Sequence, residues 1–140
     1  MELMIRINGA PIAKSRHRTT RTGRTYWTQG KEQTAVQWEM IRQLPGGFIP
    51  LGGPLSVNIT AAFKRPAKHF GTGRNAMTLN GSAPNHCMCR KDVDNISKFY
   101  LDAMNRIVYD DDRQVVDLSV RKLWSDGEGF VQIRIRTVPP

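Results

Sequence analysis

The chain has 140 residues, 24% of them charged and 39% apolar, the make-up of one folded domain (residues 1–140) rather than of a disordered segment. Twenty-one Lys and Arg against twelve Asp and Glu leave a net charge of +9, which favours a polyanionic partner, nucleic acid or anionic lipid. The uncharged run 43–63 carries Pro45, Pro50, Pro54 and four glycines, which argues against a spanning helix, and MELMIRINGA has no apolar run long enough for a signal peptide.

In chain order, Leu3, Ile5 and Ile7 alternate with Met4, Arg6 and Asn8, the pattern of a first strand. A basic segment, PIAKSRHRTTRTGRTYWTQGK, fills residues 11–31. A helix is expected over about 31–44, with Ala35, Trp38 and Ile41 on one face, ended by Pro45 and the Gly/Pro run behind it. Residues 54–63 are the clearest strand, Leu55, Val57, Ile59, Ala61 and Phe63 alternating with smaller or polar residues. Residues 64–91 read as a long acid-free excursion, of a length that is functional or mobile in compact domains. A second helix is expected from about Asn95 to Asn105, burying Ile96, Phe99, Tyr100, Ala103 and Met104. Two strands close the chain, one carrying Val116, Leu118 and Val120, the other Val131, Ile133 and Ile135. The sum is an α+β domain, a small mixed sheet with two or three helices packed against it.

Charge is distributed unevenly. Seven of the twelve acids lie between Asp92 and Asp117: Asp92, Asp94, Asp102, Asp110, Asp111, Asp112 and Asp117. Asp92 and Asp94, one residue apart in an extended approach to the second helix, project to one side, and Asp94 suits the N-cap. Lys98, four positions on, shares the helical face of Asp94. Clustered carboxylates repel unless a cation neutralises them, and Mg²⁺ (or Mn²⁺) is the natural one, taking hard oxygen ligands together with water and phosphate. Such an ion activates water against a phosphodiester, with Lys98 stabilising the developing charge. The plain alternative is an aspartate that only caps a helix and a DDD run that is only a solvated turn. Whether YDDDRQVV meets Asp92 and Asp94 in space depends on how the following strand joins the sheet.

Two acid-free basic segments flank the cluster: Lys14, Arg16, Arg18, Arg21 and Arg24 in the first, and Lys64, Arg65, Lys68, Arg74, Arg90 and Lys91 in the second. They suit salt-sensitive contacts to a phosphate backbone, though runs of arginine are commonly a solvated face. Tyr26 and Trp27 are candidates for stacking on bases, but aromatics in such a place more often anchor a loop. His86, Cys87 and Cys89, with only His17 and His69 elsewhere, fall short of a zinc pattern. Cys87 and Cys89 are also too close for an ordinary structural disulfide, so a reduced, cytoplasmic setting is expected.

The motif KDVDNISKFYLDAMN, residues 91–105, followed by DDRQVV, residues 111–116, resembles the RusA-type family of Holliday junction resolvases, its phage and prophage members in particular. PIAKSRHR, residues 11–18, and GRTY further on are similar to that family's basic opening, so the likeness spans nearly the whole chain. The resemblance implies a homodimeric, Mg²⁺-dependent endonuclease that cuts four-way DNA junctions. By motif position, Asp92 and Asp94 correspond to the first two metal-binding aspartates, Lys98 to the catalytic lysine and Asp112 to the third ligand. The extra acid Asp110 leaves the register open, with Asp111 in reserve. Paired cuts on two-fold related strands give the dimer a physical reason of its own. The rival readings are a non-catalytic nucleic-acid-binding protein and a metal-dependent phosphohydrolase acting on nucleotides.

Overall fold

A computed structural model describes all residues, 1–140. Its main sheet has four strands: β1 (Glu2–Asn8), β4 (Leu55–Lys64), β5 (Val115–Ser125) and β6 (Phe130–Thr137), in the order β1-β6-β4-β5. A small hairpin, β2 (Arg18–Thr19) with β3 (Thr25–Tyr26), stands apart. The helices are α1 (Gly30–Gln43) and α2 (Val93–Met104). The sheet is mixed: β6 runs antiparallel to both β1 and β4, whereas β4 and β5 are parallel and joined through α2. A parallel pair needs such a crossover, and α2 must run back from the end of β4 to the beginning of β5.

Strand alternation determines which face is buried. Ile5 and Ile7 of β1 pair with Ile133 and Val131 of β6, while Val57 and Ile59 of β4 pair with Ile135 and Ile133. All are buried, and they join Val36 and Met40 of α1 and Ile96, Phe99, Tyr100, Ala103 and Met104 of α2 in one core. The core face expected of α2 is therefore the observed one.

Three details depart from the expectations. α2 starts at Val93, so Asp92 occupies the N-cap and Asp94 lies within the first turn. The stripe Ala35, Trp38 and Ile41 of α1 does not face the core: Trp38 is 67% exposed and Ile41 46%, while Val36 and Met40 turn inward. Trp38 and Val36 differ by two residues, about 200° around a helix, so only one of the two can be inside. Finally, Val116 and Leu118 are on a strand as expected but remain 64% and 41% exposed, because β5 is an outer strand.

The excursion 65–92 is folded onto the sheet rather than loose. Its two 3-10 turns, Ala67–His69 and Gly73–Asn75, are followed by a bridge between Phe70 and Leu79. The Trp124 indole donates to the His86 carbonyl, and the Lys122 ammonium donates to the carbonyls of Cys89 and Lys91. Cys87 and Cys89 are free thiols within this loop, Cys87 buried and pushed up in pKa by that burial. No helix is long and apolar enough to cross a membrane.

Candidate active site

Asp92 enters α2 with an extended backbone (φ −80°, ψ 144°), yet its carboxylate makes no capping hydrogen bond. A capping aspartate would spend its oxygens on the N–H groups of the first turn; these oxygens stay available. Asp94 lies one turn before Lys98, and neither Asp92 nor Asp94 is drawn into any of the ion pairs of the chain. Asp92, Asp94, Asn95 and Lys98 form one wall of a cleft of about 630 Å³. The other wall is the segment Lys14, Ser15, Arg16 and His17, so no apolar side chain lines the cleft.

That second wall is an extended strip held along α2 by specific hydrogen bonds. The Ile12 N–H donates to the Tyr100 hydroxyl at 3.0 Å and the Lys14 N–H to the Asn95 carbonyl at 2.9 Å. Gln29 clamps the strip from behind, donating to the Ala13 carbonyl and accepting from the Ser15 N–H. Lys91 donates to the Pro11 carbonyl. Tyr100, fully buried, has its phenol pushed up to about 12 by desolvation, which keeps it a neutral hydroxyl in this clamp.

The DDD run sits elsewhere. Asp111 caps the 3-10 turn Asp112–Gln114, accepting from the Arg113 N–H at 2.9 Å. That bond lowers its pKa. Gln114 completes the arrangement, accepting from the N–H groups of Asp110 and Asp111 and donating to the carbonyls of Leu51 and Gly53. Asp112 differs from Asp111. Burial raises its pKa, and the neighbouring Asp111 and Asp102 carboxylates raise it further, with Lys14 opposing. Asp112 therefore lies toward the Asp102 end of α2, and Asp94 to Asp102 is eight residues, about 12 Å along a helix.

The structure thus brings Asp92, Asp94 and Lys98 together and leaves Asp112 at the far end of the same helix. No three His, Cys, Asp or Glu side chains gather closely enough to hold a metal ion. Topology is the reason: the N-terminus of α2 follows the end of β4, whereas Asp112 precedes the beginning of β5, and the two strands are parallel. Lys14 spans the distance between them. It lines the Asp92–Asp94 cleft, and its ammonium pairs with Asp102 at 2.5 Å. Sequence reading gave Asp102 no role and placed Lys14 only among DNA contacts. The available signal was spacing, since Asp94, Lys98 and Asp102 recur every four residues on one helical stripe.

The other basic residues divide into two groups. Arg16 lines the cleft, and Arg18, Arg21 and Arg24 are exposed on and around the β2–β3 hairpin beside it. Lys68, Arg74 and Arg90 are exposed on the long excursion. Lys64, by contrast, pairs with Glu128 at 2.9 Å, and Arg65 donates to the Pro84 carbonyl while lying over the Trp124 ring. Lys91 is committed to Pro11. Trp27 packs against the core and Tyr26 stays 44% exposed.

Two free carboxylates, a lysine one turn away and a basic opposite wall are a surface for a phosphodiester rather than for a neutral ligand. A stretch of 49 residues is 49% identical to the uncharacterized protein YqaN of Bacillus subtilis (strain 168), covering 35% of this chain and 34% of that one. The match thus spans about a third of the relative's length. The family model for endodeoxyribonuclease RusA matches residues 8–136, which include both walls of the cleft and the DDD run. The chain belongs to the RusA family of endodeoxyribonucleases.

Proposed function

We propose that the protein is a Mg²⁺-dependent endonuclease that resolves four-way DNA junctions by paired, symmetric phosphodiester cleavage, acting as a homodimer in the cytoplasm. The observation that carries this reading is the convergence of Asp92, Asp94 and Lys98 on one polar cleft faced by Lys14 and Arg16. The two carboxylates fit a hard divalent cation, because Asp92 is not consumed as a cap and neither acid is neutralised by an ion pair. Mg²⁺ is commonly bound by one or two protein carboxylates, its remaining positions filled by water and phosphate oxygens. When bound, the cation supplies a polarised phosphoryl oxygen and a more acidic water. Asp112, the third ligand that the resemblance implies, stands apart from this pair beside Asp102, and the proposal rests on Asp92 and Asp94.

The residues of the chain do the remaining work. Lys98 presents an ammonium to the scissile phosphate, where negative charge grows in the transition state. Arg16 and the hairpin arginines Arg18, Arg21 and Arg24 hold flanking phosphates, with Lys68, Arg74 and Arg90 extending the basic surface. Lys14 keeps the opposite wall registered on α2 through Asp102. Paired cuts at strands related by two-fold symmetry require two identical sites in matching positions, which a symmetric dimer supplies.

The decisive experiment incubates a labelled four-way junction with and without Mg²⁺, beside the Asp94→Asn protein. Cleavage is expected from the wild type with the ion alone, and junction binding without cleavage from the variant. A wild type that binds but never cuts under any divalent ion returns the protein to a non-catalytic binder. Equal cutting of linear duplex removes the junction preference and leaves a nuclease.

A further inference from the structure

The segment 86–92 leads from the long excursion into α2 and carries two thiols two residues apart. Cys87 is buried, Cys89 is partly exposed, and both are free. The Cys89 N–H and thiol lie against the Cys87 sulfur. The same segment anchors the candidate cleft. The Lys122 ammonium of β5 donates to the carbonyls of Cys89 and Lys91 at 3.0 and 2.9 Å. Lys91 in turn donates to the Pro11 carbonyl, at the root of the strip that forms the opposite wall. Asp92 follows Lys91 directly, and its carboxylate has no capping bond of its own to hold it. The approach to Asp92 is thus fixed by the backbone that Lys122 grips.

We propose that Cys87 and Cys89 are a thiol modification site, closed to a reversible disulfide by low-molecular-weight disulfides, and that closure displaces Asp92 and disables the cleft. The Cys89 thiolate, on the more accessible residue, attacks one sulfur of the small disulfide, forming a mixed disulfide and releasing one small thiolate. The Cys87 thiolate then attacks the Cys89 sulfur and expels the second small thiolate. Each released thiolate takes up a proton that the protein thiols gave up, so the pair loses two electrons and two protons and the small disulfide becomes two thiols. Burial holds Cys87 in its thiol form, which keeps it inert until Cys89 brings an electrophilic sulfur against it. A bridge between residues two apart closes a very short loop and adds little loop-closure stability, so it is of the readily reduced kind. Closure draws the two sulfurs from contact to about 2.05 Å. The short segment passes that displacement to the Cys89 carbonyl and so to its bond with Lys122.

Only the cleavage readout rests on the nuclease reading; peptide mass and hydrogen exchange test the site without it. Reduced protein is incubated with oxidised glutathione, its remaining thiols are alkylated, and it is digested with trypsin. The peptide Asn75–Arg90 contains both cysteines, so its mass reports their state directly. The expected result is a peptide lacking two hydrogen atoms and carrying no glutathione, with faster amide exchange across 89–92 than in reduced protein. Junction cleavage is expected to fall about tenfold or more and to recover with dithiothreitol. Cys89→Ser is expected to melt as the wild type does and to keep its exchange and cleavage rates in oxidised glutathione. Cys87→Ala is expected to stop at the mixed disulfide on Cys89. A wild-type peptide that stays reduced or retains glutathione, a bridge between two chains, or a closed bridge with unchanged exchange would each overturn the proposal. Protein that closes the bridge and exchanges faster, yet never cuts in either state, removes the nuclease reading and leaves the thiol site standing.

Discussion

Asp111 and Asp112 are adjacent, chemically identical and differently employed. Asp111 is bound to the backbone of the turn it caps, which depresses its pKa. Replacing it by Ala is expected to lower the melting temperature by a few degrees through loss of the cap, while junction cleavage falls far less than in Asp112→Asn. Asp112 carries the opposite shift, raised by burial and by its neighbours Asp111 and Asp102. A carboxyl whose folded pKa exceeds its unfolded value favours the folded state when protonated and opposes it once ionised. Its contribution is thus fully present below the ordinary carboxylate range and is lost as pH rises through the raised folded value. Asp112→Asn should therefore melt higher than the wild type at neutral pH, with the difference disappearing in acid. Wild type and variant melting together across that range would show that the carboxyl is not strained. At the cleft, Asp94→Asn is expected to lower junction cleavage by about a hundredfold or more, with binding changed only a few-fold. An electrophoretic shift assay beside the cleavage assay separates the two.

At the scale of elements, the candidate cleft depends on how the strip 11–17 is fastened to α2. Tyr100 is the main link between core and site: its ring belongs to the buried cluster while its hydroxyl accepts from Ile12. Tyr100→Phe keeps the packing and removes that acceptor. The expected cost is about 1 kcal/mol by urea denaturation, the usual range for one intramolecular hydrogen bond. A larger fall in cleavage than in stability is expected, because the strip carries one wall of the cleft. The core pattern of α2 was legible in the sequence, since Ile96, Phe99, Tyr100, Ala103 and Met104 recur at helical spacing. The exposed face of α1 was not, because Trp38 and Ile41 satisfy the same periodicity as Val36 and Met40. Periodicity identifies a face, and only the neighbouring β1 and α2 decide which face turns inward.

For the molecule as a whole, the basic residues are concentrated on the strip, the hairpin and the long excursion. Junction binding is expected to weaken linearly in log–log form with salt, and Arg16→Ala to reduce the slope by about 0.9, one phosphate contact. Arg65→Ala should leave the slope nearly unchanged and lower the melting temperature instead, because Arg65 holds Pro84 and Trp124. Fluorescence anisotropy at several salt concentrations checks the first, a thermal melt the second.

The sequence by itself determined the four strands of the main sheet, the core of α2, the family, and the placing of Asp92, Asp94 and Lys98 at one helix start. Each of these follows from local spacing, which a linear pattern records. Tertiary structure alone decided where the DDD run lies. A crossover helix between parallel strands must return to the end of the sheet from which the next strand departs, and so it carries Asp112 away from Asp94. The same topology leaves β5 as an outer strand, with an edge that no residue pattern in isolation reveals as unpaired.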